Sequence, residues 1–528
     1  MPECDVIIIG SGPAGVHSAW PLVMAGKNVT MVDGGKRSMG DMSDAPRRNF
    51  EDVRRNDPNQ WRWFLGNDLS GIPLSGLTGG LGGGQVSGNR SYVTSGTEAL
   101  PITLQKAFVI QSLAEGGLGA AWGATCAYLK PEELAMMGMP ADEMERHYET
   151  ITRRIGVSGP GDRPGLQPVW KPDMHGSLLL EAARKKQKTL EKSGMNVIQP
   201  PTAVLTQDKD GRTATTYADM DYWADPGRSV YRPQYTLEEL RKHANFSYLP
   251  GRIATDISEQ SHEVRLTSKH METGASESLT ARTLILAAGT VNSARIVLRS
   301  LGLYDTPTTF VGKPHVFSAC VHPRTLGRAG PKERLSLCQL LLLDEEQREG
   351  LIAGSAQLYG YRSLQLFRLL SSLPLAAPQA MKILALLSPS LVIADIRFPG
   401  LPLPINTLTL QKKNNGDSVH IAMDLHPEDS AARKRSLRRL HATMRLLGLL
   451  PVKTLWLPEA STTHYAGTIP VSDAPEGSLS ADRNGKVRGF TNVYAADASL
   501  FRCLPPTPHT LTIMANANRI GERVLHSL

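Results

Sequence analysis

The apolar positions at the start of the chain follow two different spacings. The continuous run Val6-Ile7-Ile8-Ile9 has the length and composition of a buried β-strand. From Val16 toward Ala25 the apolar positions recur at helical spacing, and the run Val29-Thr30-Met31-Val32 predicts a second strand. A strand, a helix and a strand in this order predict a βαβ unit with two parallel strands.

Two later segments carry the same strand pattern. The run 284–287 is apolar, leads into Ala288 and Gly289, and is followed by a helical stretch over 291–300. Near the other end, 492–496 predicts a strand that stops at Asp497, and a closing helix is expected to run to Leu528. Strands and helices that alternate in this way are typical of a mixed α/β protein.

A glycine-rich turn separates the first strand from the first helix. Gly10, Gly12 and Gly15 have the spacing Gly-x-Gly-x-x-Gly, which allows a tight turn, close approach to a pyrophosphate and close helix packing. The amino terminus of the following helix attracts phosphates. Asp33, at the end of the second strand, is placed to accept hydrogen bonds from a ribose. Together these features predict a dinucleotide-binding site.

Further segments resemble, in the same order along the chain, the glucose–methanol–choline (GMC) family of FAD-dependent oxidoreductases. They are the glycine segment 115–124, the strand 284–290, the histidine motif Thr463-His464-Tyr465-Ala466-Gly467-Thr468, the strand 492–499 and the segment 508–515. The resemblance reaches nearly from end to end. It implies an α/β fold, with a Rossmann-like FAD-binding domain and an interleaved α+β substrate domain, or cap. It also implies FAD rather than NAD as the cofactor.

The resemblance places a pair of catalytic histidines, His464 and His509, in front of the flavin. Removal of a hydride from an alcohol carbon needs a base for the hydroxyl proton, and a neutral imidazole suits this task. The sequence leaves open which histidine is the base, and it predicts that the others, including His315, are structural or surface residues. The residues expected to contact FAD are Gly10, Gly12, Pro13, Ala14, Gly15, Asp33, Gly34, Gly117, Gly119, Trp122, Gly123, Ala124, Ile253, Ala288, Gly289, Asp497, Ala498, His509, Thr510 and Leu511.

The way in which the flavin is attached can also be inferred from the glycine segment. Some members of the family attach FAD covalently through a histidine beside this segment. Here no His, Cys or Tyr lies between Gly116 and Ala124, so noncovalent FAD is expected.

The chain length predicts more than one domain. Its 528 residues exceed what one hydrophobic core usually serves, so two domains built from interleaved segments are expected. The predicted FAD-binding domain comprises 1–45, 105–130, 245–325 and 455–528. The predicted cap comprises 140–240 and 325–455.

A formal net charge of +8 raises the question of a nucleic-acid partner. The basic clusters 184–188 and 433–439 both lie in helical patterns. A solvated helix face explains them best, with an anionic substrate or an acidic membrane surface as alternatives, and no nucleic-acid partner is expected. The five scattered cysteines predict no metal site and no disulfide framework. They favour a cytoplasmic location, with peripheral attachment to a membrane left open.

Two unusual segments have more than one interpretation. The glycine-rich loop 71–90 either passes close to the cofactor or is a surface excursion. The segment 363–398 is rich in leucine and alanine, but prolines, Arg368 and Lys382 interrupt it, so a membrane-spanning helix is not expected. Two amphipathic helices are predicted there, as cap core, as a substrate portal or as a membrane-surface patch.

The sequence therefore predicts an enzyme that oxidises the CH–OH group of a small-molecule alcohol to a carbonyl. The expected chemistry is hydride transfer to flavin N5 with histidine-assisted removal of the proton. An apolar alcohol or a sugar is the expected substrate, and oxygen or an external acceptor takes the electrons. A GMC-like lyase or decarboxylase, and a noncatalytic membrane-recruited flavoprotein, are the alternatives, and the intact glycine and histidine motifs argue against both.

Overall fold

The computed structural model describes residues 3–37, 48–64, 66, 88–221, 223–260, 263–328, 333–360, 376–414, 416–475 and 477–528. The strands in this part of the chain are β1 (Cys4–Ile9), β2 (Val29–Val32), β3 (Ile102–Gln105), β4 (Met195–Ile198), β5 (Phe246–Leu249), β6 (Arg252–Gln260), β7 (Glu263–His270), β8 (Ser276–Leu286), β9 (Pro307–Thr309), β10 (Val311–Gly312), β11 (His315–Val321), β12 (Leu340–Arg348), β13 (Leu351–Gly360), β14 (Leu391–Arg397), β15 (Thr407–Lys413), β16 (Gly416–Ala422), β17 (Leu450–Trp456), β18 (Tyr465–Ala466) and β19 (Val493–Ala495). The α-helices are α1 (Pro13–Met24), α2 (Phe50–Asn56), α3 (Trp61–Phe64), α4 (Pro131–Met136), α5 (Ala141–Ile155), α6 (Met174–Lys185), α7 (Gln187–Lys192), α8 (Pro233–Leu240), α9 (Thr290–Ser300), α10 (Ala377–Leu387), α11 (Pro427–Leu446) and α12 (Thr510–Ser527).

A seven-stranded sheet contains the βαβ unit that the amino-terminal pattern predicts. β1 pairs in parallel with β2 on one side and with β8 on the other, while β5 pairs with β2 and β19 with β8. The first half of β8 pairs with β7 in antiparallel orientation, and β6 follows β7. The strand order reverses between β1 and β8, and ligands of such sheets bind at the carboxyl ends of strands at this point.

Helices α1 and α12 cover one face of this sheet. Val16 and Val23 of α1 lie in one apolar cluster with Ile520 of α12. The two helices approach closely at Gly521, where an added Cβ would lie 2.3 Å from Ser18 O. The closing helix of the chain is therefore packed directly on the helix that follows the glycine turn.

A six-stranded antiparallel sheet forms a second layer, with the strand order β17-β11-β14-β13-β12-β4. Helix α11 packs on one face of it, where Leu440 and Met444 share an apolar cluster with Ile396 of β14. Because side chains alternate along a strand, Asp395 and Arg397 belong to the opposite face of β14. Two smaller sheets, β3-β16-β15-β9 and β10-β18, complete the described structure.

The segment 363–398 differs from its prediction as two amphipathic helices. Residues 363–375 lie outside the described residues, as do residues 71–87 of the glycine-rich loop. Helix α10 follows, but Leu391–Arg397 is strand β14, which is hydrogen-bonded to β11 and β13. Its β-branched residues favour a strand, so the second predicted helix is wrong, and this part lies in the core of the six-stranded sheet. None of the described helices has both the length and the apolar content that crossing a bilayer requires.

Two segments lie in a different layer from the one predicted for them. His315–Val321 falls before the predicted border at 325, yet as β11 it lies inside the six-stranded sheet, between β14 and β17. Helix α8 falls in the predicted cap segment 140–240, yet Leu237 and Leu240 pack in the cluster of α1. Both placements depend on pairing between distant segments, which local pattern does not show. The remaining domain borders stay a prediction.

The basic cluster 433–439 is partly used inside the fold. Arg433 is buried and donates to Glu459 Oε1 at 2.6 Å. Arg439 donates to Asp344 Oδ1 at 2.9 Å, and Asp344 is fully buried. The charges of Arg433 and Arg439 are therefore balanced by acidic side chains of neighbouring elements. The interpretation of the cluster as a solvated helix face does not apply to these two residues.

Candidate active site

The glycine turn after β1 leaves no room for a side chain at two of its glycines. Gly10 has a φ of +100°, and an added Cβ there would lie 2.5 Å from Ala287 O. An added Cβ at Gly15 would lie 1.8 Å from Gly10 O. At Gly12 the nearest atom would be Gly116 O at 3.8 Å, an ordinary contact distance. Gly10 and Gly15 are thus required by packing, whereas Gly12 leaves the turn open.

The predicted flavin-facing glycine segment packs directly on this turn. An added Cβ at Gly117 would lie 3.4 Å from Gly12 Cα, and one at Gly119 would lie 2.7 Å from Pro13 Cγ. Pro13 opens α1, and Ala14 follows it in the first helical turn. The structure therefore brings the two predicted glycine motifs together at the carboxyl end of β1.

Asp33 follows β2, and hydrogen bonds hold its carboxylate in place. Ser11 Oγ donates to Oδ2 at 2.6 Å, and the Tyr248 hydroxyl donates to the same oxygen at 2.8 Å. Ser11 Oγ in turn accepts a hydrogen bond from the Gly116 N–H at 2.9 Å. Burial raises the pKa of the Asp33 carboxyl to about 6, against the opposing effect of these hydrogen bonds. Hydrogen bonds from the protein itself therefore fix the position of the carboxylate.

Two further residues predicted to contact FAD lie next to Asp33. An added Cβ at Gly34 would lie 2.7 Å from Leu113 O, so a larger residue would not fit there. The Arg252 N–H donates to Asp33 O at 3.0 Å. Ile253, the next residue of β6, is thereby placed beside the end of β2.

We expect Asp33→Ala to weaken FAD binding. The ionised carboxylate would offer the ribose charge-assisted hydrogen bonds worth about 1.5–3 kcal/mol, so the Kd should rise about tenfold or more. Because the pKa of Asp33 is about 6, acidification below that pH protonates the carboxylate and should weaken FAD binding by the unaltered protein. Titration of the apoprotein with FAD from about pH 5 to about pH 8 measures both effects.

Asp33→Asn is the matched control for this titration, since it keeps the shape of the side chain without its charge. It should bind FAD more weakly than the unaltered protein at neutral pH and show no loss of affinity near pH 6. Equal affinity of all three proteins would mean that Asp33 is only a strand-end residue.

Asp497 follows β19 and closes a network at the start of α9. Its Oδ2 accepts hydrogen bonds from the Gly289 N–H at 2.8 Å and from Ser293 Oγ at 2.6 Å. Its Oδ1 accepts a hydrogen bond from the Ser499 N–H at 2.9 Å. Burial raises the pKa of Asp497. The carboxylate thus binds groups of the protein itself, and it fixes the two turns that carry predicted contact residues: Ala288, Gly289 and Ala498.

The histidine motif is anchored to the same corner of the sheet. Thr290 Oγ1 donates to Tyr465 O at 2.9 Å, and Thr468 Oγ1 donates to Thr290 O at 2.9 Å. Since α9 follows β8, these bonds place His464 near the carboxyl end of β8. His509 directly precedes α12, which packs on α1. The two segments therefore converge beside the glycine turn.

The two predicted catalytic histidines are in contact. The ring centroids of His464 and His509 are 4.7 Å apart, and the ring planes make an angle of 71°. His509 is buried and His464 is partly exposed. Burial, followed by the positive charges of Lys313 and Arg397, lowers the pKa of both imidazoles well below the usual histidine range. Both rings are therefore neutral at neutral pH, in the form that can accept a proton.

The end of the glycine segment is held by a neighbouring loop and lies close to the six-stranded sheet. Trp122 Nε1 donates to Tyr231 O at 2.8 Å, and Arg232 Nη1 donates to Trp122 O at 2.5 Å. An added Cβ at Gly123 would lie 3.8 Å from the Tyr359 hydroxyl. Tyr359 belongs to β13, so the six-stranded sheet reaches the predicted flavin-facing segment at this point.

Three of the predicted contact residues are buried in the largest apolar cluster: Ala124, Ala498 and Leu511. Their side chains pack in the largest apolar cluster, so a contact with a cofactor would involve their main chain. Thr510 begins the first turn of α12. Within the described residues, no side chain caps the amino terminus of α12 or of α1.

The structure also shows a polar cluster that the sequence analysis missed. Lys313 is fully buried, and its Nζ lies 3.1 Å from Nδ1 of His509. Asp395 Oδ2 accepts from Arg397 Nη2 at 2.5 Å, and Asp395 Oδ1 lies 3.3 Å from Nδ1 of His315. His315 is thus buried in this cluster rather than at the surface, and its structural role stays a prediction. In the sequence, the only sign of this cluster is that Lys313 and His315 lie beside an apolar run. Pairing within the sheets, between strands distant in the chain, is what brings the residues of the cluster together.

The residues at this corner fit an FAD molecule. Uncapped helix amino termini offer N–H groups to a pyrophosphate, and Gly12 leaves the approach to one of them open. The fixed carboxylate of Asp33 suits a ribose. Nδ1 of His464 is a buried polar atom without a hydrogen-bond partner among the described residues.

Comparison with known proteins identifies a family model and several similar proteins. A sequence model of the GMC oxidoreductase family matches residues 402–517. The 6'''-hydroxyparomomycin C oxidase of Streptomyces lividus is 26% identical over 318 residues, which cover 57% of this chain and 51% of that protein. The paromamine 6'-oxidase of Streptomyces fradiae is 23% identical over 303 residues, which cover 56% of this chain and 50% of that protein. The chain thus spans about half the length of the curated relatives it matches.

The fold as a whole also has a solved relative. The crystal structure of pyridoxine 4-oxidase from Mesorbium loti matches 99% of both chains with a TM-score of 0.60 and 14% sequence identity. This likeness confirms the predicted fold class. The family that the sequence motifs indicate agrees with the family model, whose match covers residues 402–517 of this chain.

Proposed function

We propose that the protein oxidises the CH–OH group of a small polar alcohol to a carbonyl, with FAD as its cofactor. The observation that carries this proposal is the contact between two neutral histidines, His464 and His509, beside the glycine turn. The names of the curated relatives, both oxidases, support it.

The histidine pair would act on the hydroxyl group of the substrate. One imidazole would accept the hydroxyl proton, and the other would donate a hydrogen bond to the same oxygen. Because the pKa of both rings is low, an unprotonated base is available at neutral pH. Bound FAD would supply the acceptor for the hydride of the alcohol carbon.

Noncovalent FAD would be held by the motifs at the carboxyl end of the parallel strands. Gly12 and the first turn of α1 would bind the pyrophosphate, and Asp33 would bind the adenosine ribose. The segment from Gly117 to Gly123 would border the flavin. This assignment rests on the packing of that segment against Pro13 and on the proximity of Tyr359 to Gly123.

One face of the cap sheet supplies polar groups near the histidines. Gln357 and Asp395 are opposite each other in the register of β13 and β14, and the Tyr359 hydroxyl donates to Gln357 Oε1 at 2.9 Å. Gln357 Nε2 is buried without an acceptor among the described residues. Arg397 pairs with Asp395, and its charge acts on both histidines. An unused N–H donor and a charged pair favour a substrate with several polar groups, such as a sugar, over an apolar alcohol.

Anaerobic bleaching of the flavin by a panel of alcohols tests this function. The panel contains paromamine, pyridoxine, glucose, benzyl alcohol and 1-hexanol, and the absorbance of the protein-bound flavin is followed. Acid release of the flavin beforehand identifies the cofactor and shows whether it is noncovalent. We expect the polar alcohols to bleach the flavin, and admission of air to restore its colour if oxygen is the acceptor.

The possible outcomes separate the alternatives. Bleaching by 1-hexanol alone would contradict the polar substrate class but keep the oxidation. A flavoprotein that no alcohol bleaches would support the noncatalytic alternative. Conversion of a substrate without bleaching would favour a lyase.

A further inference from the structure

Lys313 is a fully buried lysine at the centre of the candidate site, and none of the sequence motifs includes it. It follows β10, whose residue Gly312 pairs with Tyr465 of β18. This register places Lys313 next to His464, and the Lys313 N–H donates to His464 O at 3.2 Å. Lys313 is 0% exposed.

The side chain of Lys313 reaches the other histidine. Its Nζ donates to Thr507 O at 2.7 Å and lies 3.1 Å from Nδ1 of His509. Thr462 Oγ1 donates to the carbonyl oxygen of Lys313 at 3.0 Å. Lys313 is therefore bonded to the main chain beside one catalytic histidine and contacts the ring of the other.

We infer that Lys313 is a positioning residue, whose Nζ donates a hydrogen bond to Nδ1 of His509 and thereby fixes the Nε2–H form of that imidazole. The inference rests on the proposed function, since it assigns a task to one histidine of the pair. Nζ has more than one hydrogen, and the Thr507 carbonyl accepts only one of them, so another is available for Nδ1. In neutral histidine the ring nitrogen that accepts carries no hydrogen, so the hydrogen lies on Nε2.

This arrangement decides what His509 can do. Nε2 of His509 then carries the hydrogen and donates it to the substrate oxygen, which orients the hydroxyl group of the substrate. The Nζ donor also opposes protonation of His509, because a second ring hydrogen on Nδ1 would face a hydrogen of Nζ. The other titratable and charged groups that act on Lys313 or the two histidines are Glu133, His315, Asp395 and Arg397.

Substitution of Lys313 tests the inference through the pH dependence of flavin reduction. Lys313→Met keeps the length and apolar stem of the side chain but has no donor. The rate of anaerobic flavin reduction should fall about 10- to 100-fold per bound flavin, because the orientation of His509 is lost. The acid limb of the pH profile should move to higher pH, because Lys313 no longer lowers the pKa of the two histidines, whereas burial and Arg397 still do. Lys313→Gln, which keeps an N–H donor, should recover part of the rate.

A buried cation elsewhere provides the control for a purely structural effect. Arg295 is 2% exposed and donates to one backbone carbonyl, Pro101 O, at 2.8 Å. Arg295→Met removes a buried donor of the same kind away from the two histidines. Arg295→Met should lower the stability of the protein. The pH profile of flavin reduction, measured on the protein that remains folded, should not move. A Lys313→Met protein with the rate and the pH profile of the unaltered protein would overturn the inference.

A second measurement does not depend on turnover or on the folding of the Lys313 variants. In the FAD-loaded, unaltered protein with ¹⁵N-labelled histidine, the ring-nitrogen shifts of His509 report which nitrogen carries the hydrogen. His509→Asn identifies the signals. The Nε2–H form is expected, and an Nδ1–H form would overturn the inference even if every alcohol failed to reduce the flavin. Failure of the proposed function would instead appear as an unreduced flavin in a protein with the expected Nε2–H form.

Discussion

Replacement of either His464 or His509 by alanine is expected to slow flavin reduction about 10²- to 10⁴-fold, the usual loss when a general base is removed. Both proteins should still fold and bind FAD, because neither imidazole anchors the glycine turn or Asp33. The rings contact each other with centroids 4.7 Å apart, so both would act on one hydroxyl group. The double variant should therefore lose less than the product of the two single losses.

Anaerobic stopped-flow measurement of flavin reduction provides the test, because it isolates the chemical step. His420→Ala is the matched control: His420 is partly exposed and its ring contacts Thr103 at 3.0 Å. This variant should reduce its flavin at the rate of the unaltered protein. If either active-site variant did so as well, that histidine would have no part in the reaction. If both did, the proposed oxidation at this site would be excluded.

Gly15→Ala is expected to destabilise the protein by about 3 kcal/mol and to abolish FAD binding. The added Cβ would lie 1.8 Å from Gly10 O, which belongs to the backbone and can move only if the turn moves. Such a shift would separate α1 from the carboxyl end of β1, where the pyrophosphate is proposed to bind. Thermal unfolding and the amount of FAD retained per chain measure the two effects.

Gly12→Ala is the informative contrast within the same turn. Its added Cβ would have its nearest neighbour at 3.8 Å, so the apoprotein should unfold at nearly the same temperature as the unaltered protein. FAD binding should nevertheless weaken, because the methyl group would occupy the open approach to the turn. If Gly12→Ala bound FAD normally, the pyrophosphate would not lie where we propose.

The amino-terminal βαβ unit could be predicted from the sequence because its determinants are local. The apolar run before Gly10, the helical spacing after Gly15 and the strand Val29–Val32 are near one another in the chain. The structure has these elements at nearly the predicted positions, with α1 beginning at Pro13 and β2 spanning Val29–Val32. The histidine motifs were equally visible, since each is a short contiguous segment.

The six-stranded sheet could not be predicted in the same detail, because its contacts join distant segments. β14 has an apolar composition that fits a helix or a strand, and its hydrogen bonds to β11 and β13 decide for the strand. Asp497 illustrates the same limit. The sequence predicts a cofactor contact there, whereas the structure shows its carboxylate bound to Gly289, which is 208 positions away.

The sequence by itself determined the glycine turn, the acidic strand end at Asp33 and the two histidine motifs, because spacing within a short segment defines each of them. Only the tertiary structure decided that His464 and His509 meet and that Lys313 lies between their segments, 196 positions from His509. The physical reason is that a buried lysine is acceptable only where carbonyl and imidazole acceptors surround it. Those acceptors come from strands and loops that approach one another only when the sheets form.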